Sequence, residues 1–112
     1  MITRTAIFEG RIKPGCEERF FSEIQQRLAP LWRQFPQASN VRLLRIEAAD
    51  EDALPIVMIQ QIDYPSMDAV KVAMNSEVRA RARSITLEIM EMLDGRFYHV
   101  MSSGNFIERV DG

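Results

Sequence analysis

Cysteine and histidine are almost missing from this chain, each occurring once, as Cys16 and His99. A lone cysteine cannot close an internal disulfide, so the chain is expected in a reducing compartment, read as the cytoplasm. One histidine and one cysteine far apart also leave only carboxylates to complete a metal site, so no metal is expected. Long apolar runs are lacking as well. The longest, Ile56 to Ile59, is far short of the roughly 20 residues that cross a bilayer, and Met1 to Ile12 shows no basic segment followed by an apolar one. Neither a membrane nor secretion is expected. No basic surface is evident either: 14 Lys and Arg stand against 16 Asp and Glu for a net charge of -2, which argues against nucleic acid as a partner. No phosphate-cradling glycine pattern occurs, so no tightly bound nucleotide or other cofactor is expected.

What is present reads as one domain over residues 1–112, since 112 residues with 46% hydrophobic and 27% charged content suit a single core. Alternation from Thr3 to Ile12 sets Ala6, Phe8, Gly10 and Ile12 against Thr5, Ile7, Glu9 and Arg11, which predicts a strand. After the turn residues Lys13-Pro14-Gly15, the residues Phe20, Phe21, Ile24, Leu28, Leu31, Trp32 and Phe35 recur at helical spacing, with a kink or restart expected at Pro30. Val41 to Ala48 and Pro55 to Tyr64 predict a strand pair joined by the acidic stretch Asp50-Glu51-Asp52. Ser66 is placed as an N-cap, and a second start signal at Asn75-Ser76 predicts a helix stepped near Asn75 and ending at Gly95. Phe97 to Ser102 supplies a last strand, and the tail from about Gly104 is assigned no element.

Strand, helix, strand, strand, helix, strand is the order of an α+β, ferredoxin-like βαββαβ fold with a four-stranded antiparallel sheet. Right-handed crossovers put both helices on one sheet face and leave the other bare. The strands do not alternate cleanly enough for a wet face: Ile56 to Ile59 is apolar on both sides, as is Phe97-Tyr98 with Val100-Met101, and Ile7 interrupts the polar side of the first strand. A second copy of the sheet is the expected cover, giving a homodimer.

The opening Ala6-Ile7-Phe8-Glu9-Gly10-Arg11-Ile12-Lys13-Pro14-Gly15, and Tyr64-Pro65-Ser66-Met67-Asp68-Ala69-Val70 followed by Asn75-Ser76-Glu77, resemble the dimeric α+β barrel superfamily. That superfamily includes antibiotic-biosynthesis monooxygenase-like and ethyl tert-butyl ether degradation (EthD-like) proteins. The resemblance implies a cofactor-independent monooxygenase or isomerase acting on an aromatic or apolar substrate. Where monooxygenase-like members often carry histidines the chain has Val72 and Val78, and its first helix has no His-x-Pro, so no catalytic residue carries over.

Candidate site residues therefore come from the residues alone. His99 suits acid-base work near neutrality, or else is a hydrogen-bonded structural histidine. Glu9, opposite Ala6 and Phe8, is expected to face the barrel, and His99 joins it there if the Phe97, His99 and Met101 side of the last strand does so too; a one-residue change of phase turns His99 to the helices. Arg45 and Gln61, with Trp32 and Tyr64, are the candidate substrate contacts in an apolar pocket, against cross-strand pairing and core roles as the alternative. Arg79, Arg81 and Arg83 invite an anion-site reading, but alternate positions on a helix point in different directions and Glu77 stands at i,i+4 to Arg81, so a solvated face is the favoured reading. The competing overall reading is a non-catalytic dimer that binds a small apolar or aromatic ligand or fills its interior with its own side chains.

Overall fold

A computed structural model describes residues 1–105, 107, 108 and 110; the rest of the expected tail, Phe106, Arg109, Asp111 and Gly112, lies outside the described residues. Strand β1 (Ile2–Ile12) leads to helix α1 (Glu17–Glu23), a π-helical turn (Ile24–Leu28) and helix α2 (Ala29–Trp32). Strands β2 (Ser39–Arg45) and β3 (Ile56–Tyr64), helices α3 (Met67–Met74) and α4 (Glu77–Ile89), a 3-10 turn (Met90–Met92) and strand β4 (Leu93–Ser103) complete the chain. The sheet order is β2-β3-β1-β4 with every neighbour antiparallel, as the βαββαβ reading requires.

Proline explains the break in the first helix. With no N–H on Pro30, the α-helical ladder loses a donor there, and the chain widens so that the Ala29 N–H donates to the Ile24 carbonyl five residues back. Phe20, Ile24, Leu28 and Trp32 follow at intervals of four, a spacing that drifts by about 40° per step in an unbroken α-helix. The wide turn takes up that drift, and the four side chains stay on the sheet with at most 5% exposure. Burial contributes about 1.5–3 kcal/mol for each such side chain.

The second helix steps where expected, but by two separate caps. The Ser66 hydroxyl accepts from the Ala69 N–H at 3.2 Å and the Ser76 hydroxyl from the Arg79 N–H at 3.3 Å. Ser76→Ala is expected to lower stability by about 1 kcal/mol, measurable in a urea titration, because it frees a donor at the start of α4.

The expected stop at Gly95 is corrected. The helical stretch ends at Met92, and β4 begins at Leu93 because pairing with β1 continues to Ile12 opposite Leu93. Gly95 instead lies opposite Gly10, whose φ of 139° only glycine adopts readily, and a Cβ on Gly95 would collide with the Glu9 carbonyl. These two glycines let the strands meet closely beside the bulge between Phe8 and Glu9.

Register assigns the two faces. Toward the helices, Leu43, Gln60, Ala6 and His99 form one row across the sheet, and Arg45, Met58, Phe8 and Phe97 the next. Leu44, Ile59, Ile7 and Tyr98 form an apolar row on the opposite, uncovered face. Beside it, Arg42 donates to Gln61 at 3.1 Å and Gln61 to Thr5 at 3.3 Å, while Thr3, Asn40 and Arg42 all donate to Asp63. Burial opposes ionisation of Asp63, but these donors and the Arg42 charge outweigh it and hold the carboxyl at about 2.

Candidate functional site between sheet and helices

His99 faces the helices and not the bare side of the sheet. Its direction follows from pairing with Ala6, which is 3% exposed beneath the helical layer. There it lines a cavity of about 50 Å³, with Ala6, Phe8 and Phe97 as floor and Trp32, Phe35, Ala82 and Thr86 as roof. That space admits a few water-sized groups, enough for a polar head or small ring edge. Trp32 also borders a second cleft of about 310 Å³ along Ala29, Pro30, Val41 and Leu43, so it lines both. The rings are ordered among themselves: Phe8 stacks on Phe97 at 5.5 Å, and Phe97 meets the His99 imidazole edge to face at 5.8 Å.

The polar part of the lining is one-sided in charge. Arg4 of β1 and Arg79 and Arg83 of α4 border the cavity with the Gln60 amide, and no carboxylate does. Among the described residues none of these three arginines forms an ion pair. Burial, followed by the charges of Arg4, Arg79 and Arg83, lowers His99 to about 4, so the imidazole is uncharged near neutrality and one ring nitrogen is free to accept a proton. Among the described residues no three His, Cys, Asp or Glu side chains gather as a metal site would require.

Of the residues singled out from sequence, the structure brings only Trp32 and His99 together here. Tyr64 is fully buried in the core, its hydroxyl without a hydrogen-bond partner among the described residues; burial raises its pKa while the Arg4 charge acts against that rise. The expected shared site is corrected. Glu9 faces away from the helices as expected, but His99 does not, so the thickness of the sheet separates them; Glu9 pairs with Arg96 at 3.8 Å, and Arg96 stacks over Tyr98 on the uncovered face. Gln61 also turns to that face and is held by Arg42 and Thr5, while its neighbour Gln60 reaches the cavity. Arg45 lies at the sheet edge, stacked 4.0 Å over Phe21 and bonded to Glu17 at 3.2 Å.

Arg4 and Gln60 were missed, and Arg79 and Arg83, set aside as a solvated face, also border the cavity. Their signals were available: Arg4 has the parity of Ala6 and Phe8, and positions 79 and 83 are one helical turn apart. Arg81 and Arg83 are both exposed, as the solvated-face reading expects, while Arg79 is half-buried.

No protein-family model matches the sequence, and no curated protein matches it significantly. Among solved structures, an EthD family protein from Bacillus halodurans superposes with a TM-score of 0.72 at 15% identity, over 94% of this chain and 99% of that one. An antibiotic biosynthesis monooxygenase gives 0.63 at 16% identity, over 94% and 99%. SnoaB, a cofactor-independent oxygenase from Streptomyces nogalater, gives 0.66 at 14% identity, over 95% and 94%. With its β2-β3-β1-β4 sheet backed by helices on one face, the chain shares the α+β fold of these EthD-family and antibiotic biosynthesis monooxygenase structures.

Proposed function

We propose that this chain is a cofactor-independent small-molecule enzyme in which His99 takes a proton from an acidic C–H or O–H of an aromatic or otherwise apolar substrate bound between sheet and helices. The observation that carries this reading is an uncharged histidine in a ring-walled cavity bordered by three arginines that form no ion pair among the described residues. Removing a proton leaves negative charge on the substrate, and fixed positive groups aimed at that charge lower the barrier without reorganising. Oxygenase and isomerase chemistry share this step. They differ in whether dioxygen or a returning proton meets the delocalised anion.

Anthrone, an aromatic ketone with an acidic methylene, provides the test. In D₂O the protein is expected to exchange the methylene hydrogens faster than buffer alone. Oxygen uptake with conversion of CH₂ to C=O and release of water would identify the oxygenase branch, and exchange alone the isomerase branch. Exchange no faster than buffer, across anthrone and related acidic ketones that still quench the only tryptophan, Trp32, would instead make the chain the non-catalytic ligand-binding dimer.

We propose further that two copies pair through the uncovered sheet face, supported by the apolar row Leu44, Ile59, Ile7 and Tyr98. Among the described residues no helix is long and apolar enough to cross a membrane, and the half-buried thiol of Cys16 is free, which fits the cytoplasm.

A further inference from the structure

We infer that the ligand of this cavity is an organic monoanion, an aromatic or apolar carboxylate or phenolate, whose charged group sits among Arg4, Arg79 and Arg83. This rests on the cavity being the ligand site and narrows what enters it.

Two elements contribute the charges independently. Arg79 and Arg83 stand one turn apart on α4, and Arg4 approaches from β1 across the cavity. Arg4 is half-buried, and both its burial and the charges of Arg79 and Arg83 act against its ionisation, although the phenol of Tyr64 acts the other way. Arg4 and Arg79 are half-buried and Arg83 is exposed at the rim; the three like charges repel one another, and no acidic side chain in the lining offsets them. The chain has 16 acidic residues and a net charge of -2, so this concentration of positive charge runs against its overall balance. Elsewhere half-buried arginines have partners: Arg42 holds Asp63, and Arg27 holds Glu23 and Glu88. A planar carboxylate or phenolate oxygen matches guanidinium donors, and the adjoining Phe8, Phe97, Trp32 and Phe35 surfaces suit the ring that carries it.

A ligand of this kind would also change the base. The groups that line the cavity with His99 are Arg4, Ala6 and Phe8 from β1, Gln60 from β3, Phe97 from β4, Trp32 from α2, Phe35 just beyond it, and Arg79, Ala82, Arg83 and Thr86 from α4. The arginines are the only charges among them. An anion that neutralises part of their field raises the proton affinity of His99, so the ligand makes its own acceptor more basic.

Benzoate and benzamide, nearly equal in shape and different in charge, are the probes. Each is titrated into the intact protein while Trp32 fluorescence and the His99 ring-proton NMR shifts are followed. Benzoate is expected to bind roughly tenfold to a hundredfold more tightly than benzamide and to move the His99 midpoint upward from about 4. Arg79→Met combined with Arg83→Met is expected to weaken benzoate by about tenfold or more without changing benzamide. Should that variant fail to fold, the two ligands on the unaltered protein still decide the question. Equal binding of both, with the His99 midpoint unmoved, overturns the charge inference and leaves the cavity as a ligand site. No response of Trp32 or His99 to either overturns both.

Discussion

The acid limb of kcat/KM is expected near pH 4, where His99 titrates in the free protein, and the acid limb of kcat is expected at higher pH. The two parameters report different species, kcat/KM the free enzyme and kcat the complex. Free, the imidazole faces three guanidinium charges and gives up its proton readily. In the complex the anionic group of the substrate offsets those charges, so the imidazole holds a proton to higher pH and is a stronger acceptor where the reaction takes place. His99→Ala is expected to reduce turnover by about 10²- to 10⁴-fold, the range for a lost general base. Arg79→Met should shift the kcat/KM limb upward, because one of the charges that lowers His99 is gone. Coincident limbs in the two profiles would show that substrate charge does not act on His99, and full activity in His99→Ala would remove the histidine from the mechanism.

Stability should follow the same ionisations. His99 is lowered from 6.5 to about 4, so the unfolded chain binds this proton more readily than the folded one; between those values stability rises with pH. Allowing for partial exposure, that window contributes about 1–2 kcal/mol. Asp63, lowered from 3.8 to about 2, acts in an adjoining window: its contribution is present above 3.8 and lost as pH falls toward 2. It is worth about 2 kcal/mol.

Periodicity made the fold legible because burial repeats. Ala6 and Phe8 at a spacing of two, and Phe20, Ile24, Leu28 and Trp32 at a spacing of four, each state which side of their element is covered. The site was harder to read because a cavity between layers is lined by the same parity that builds the core. Arg4 and Gln60 occupy core-facing positions, and polar residues there invite the assumption that the strand has turned them outward. Gln61, one position away, was the more ordinary choice and belongs to a cross-strand hydrogen-bond row. The phase of β4 could not be fixed from its composition, since Phe97, Tyr98, Val100 and Met101 are apolar on both faces. Pairing of Ala6 with His99 fixes it, and pairing is a long-range property no local window contains.

The apolar residues that obscured that phase lead to the other large expected effect. Ile7→Glu should convert a dimer of about 25.8 kDa, twice the 12.9 kDa chain, into a folded monomer. Ile7 is central in its row, directly opposite Ile59 on one side and Tyr98 on the other. A carboxylate there would be buried without a partner if two sheets met face to face, and its desolvation would cost several kcal/mol. In the isolated chain the same side chain would stay in water, since Ile7 lies outside the helix-covered core and on the same sheet face as Leu44 and Val100, which are 43% and 45% exposed. Sedimentation across a concentration series, with circular dichroism on the same samples, separates the outcomes. Loss of mass with native circular dichroism assigns the interface to this face. An unchanged dimer places the contact elsewhere, and a monomeric unaltered protein at all concentrations leaves the apolar row to be covered by some other partner. His99 and the arginines lie on the opposite side of the sheet, so the charge-dependent binding of benzoate should survive in a folded monomer.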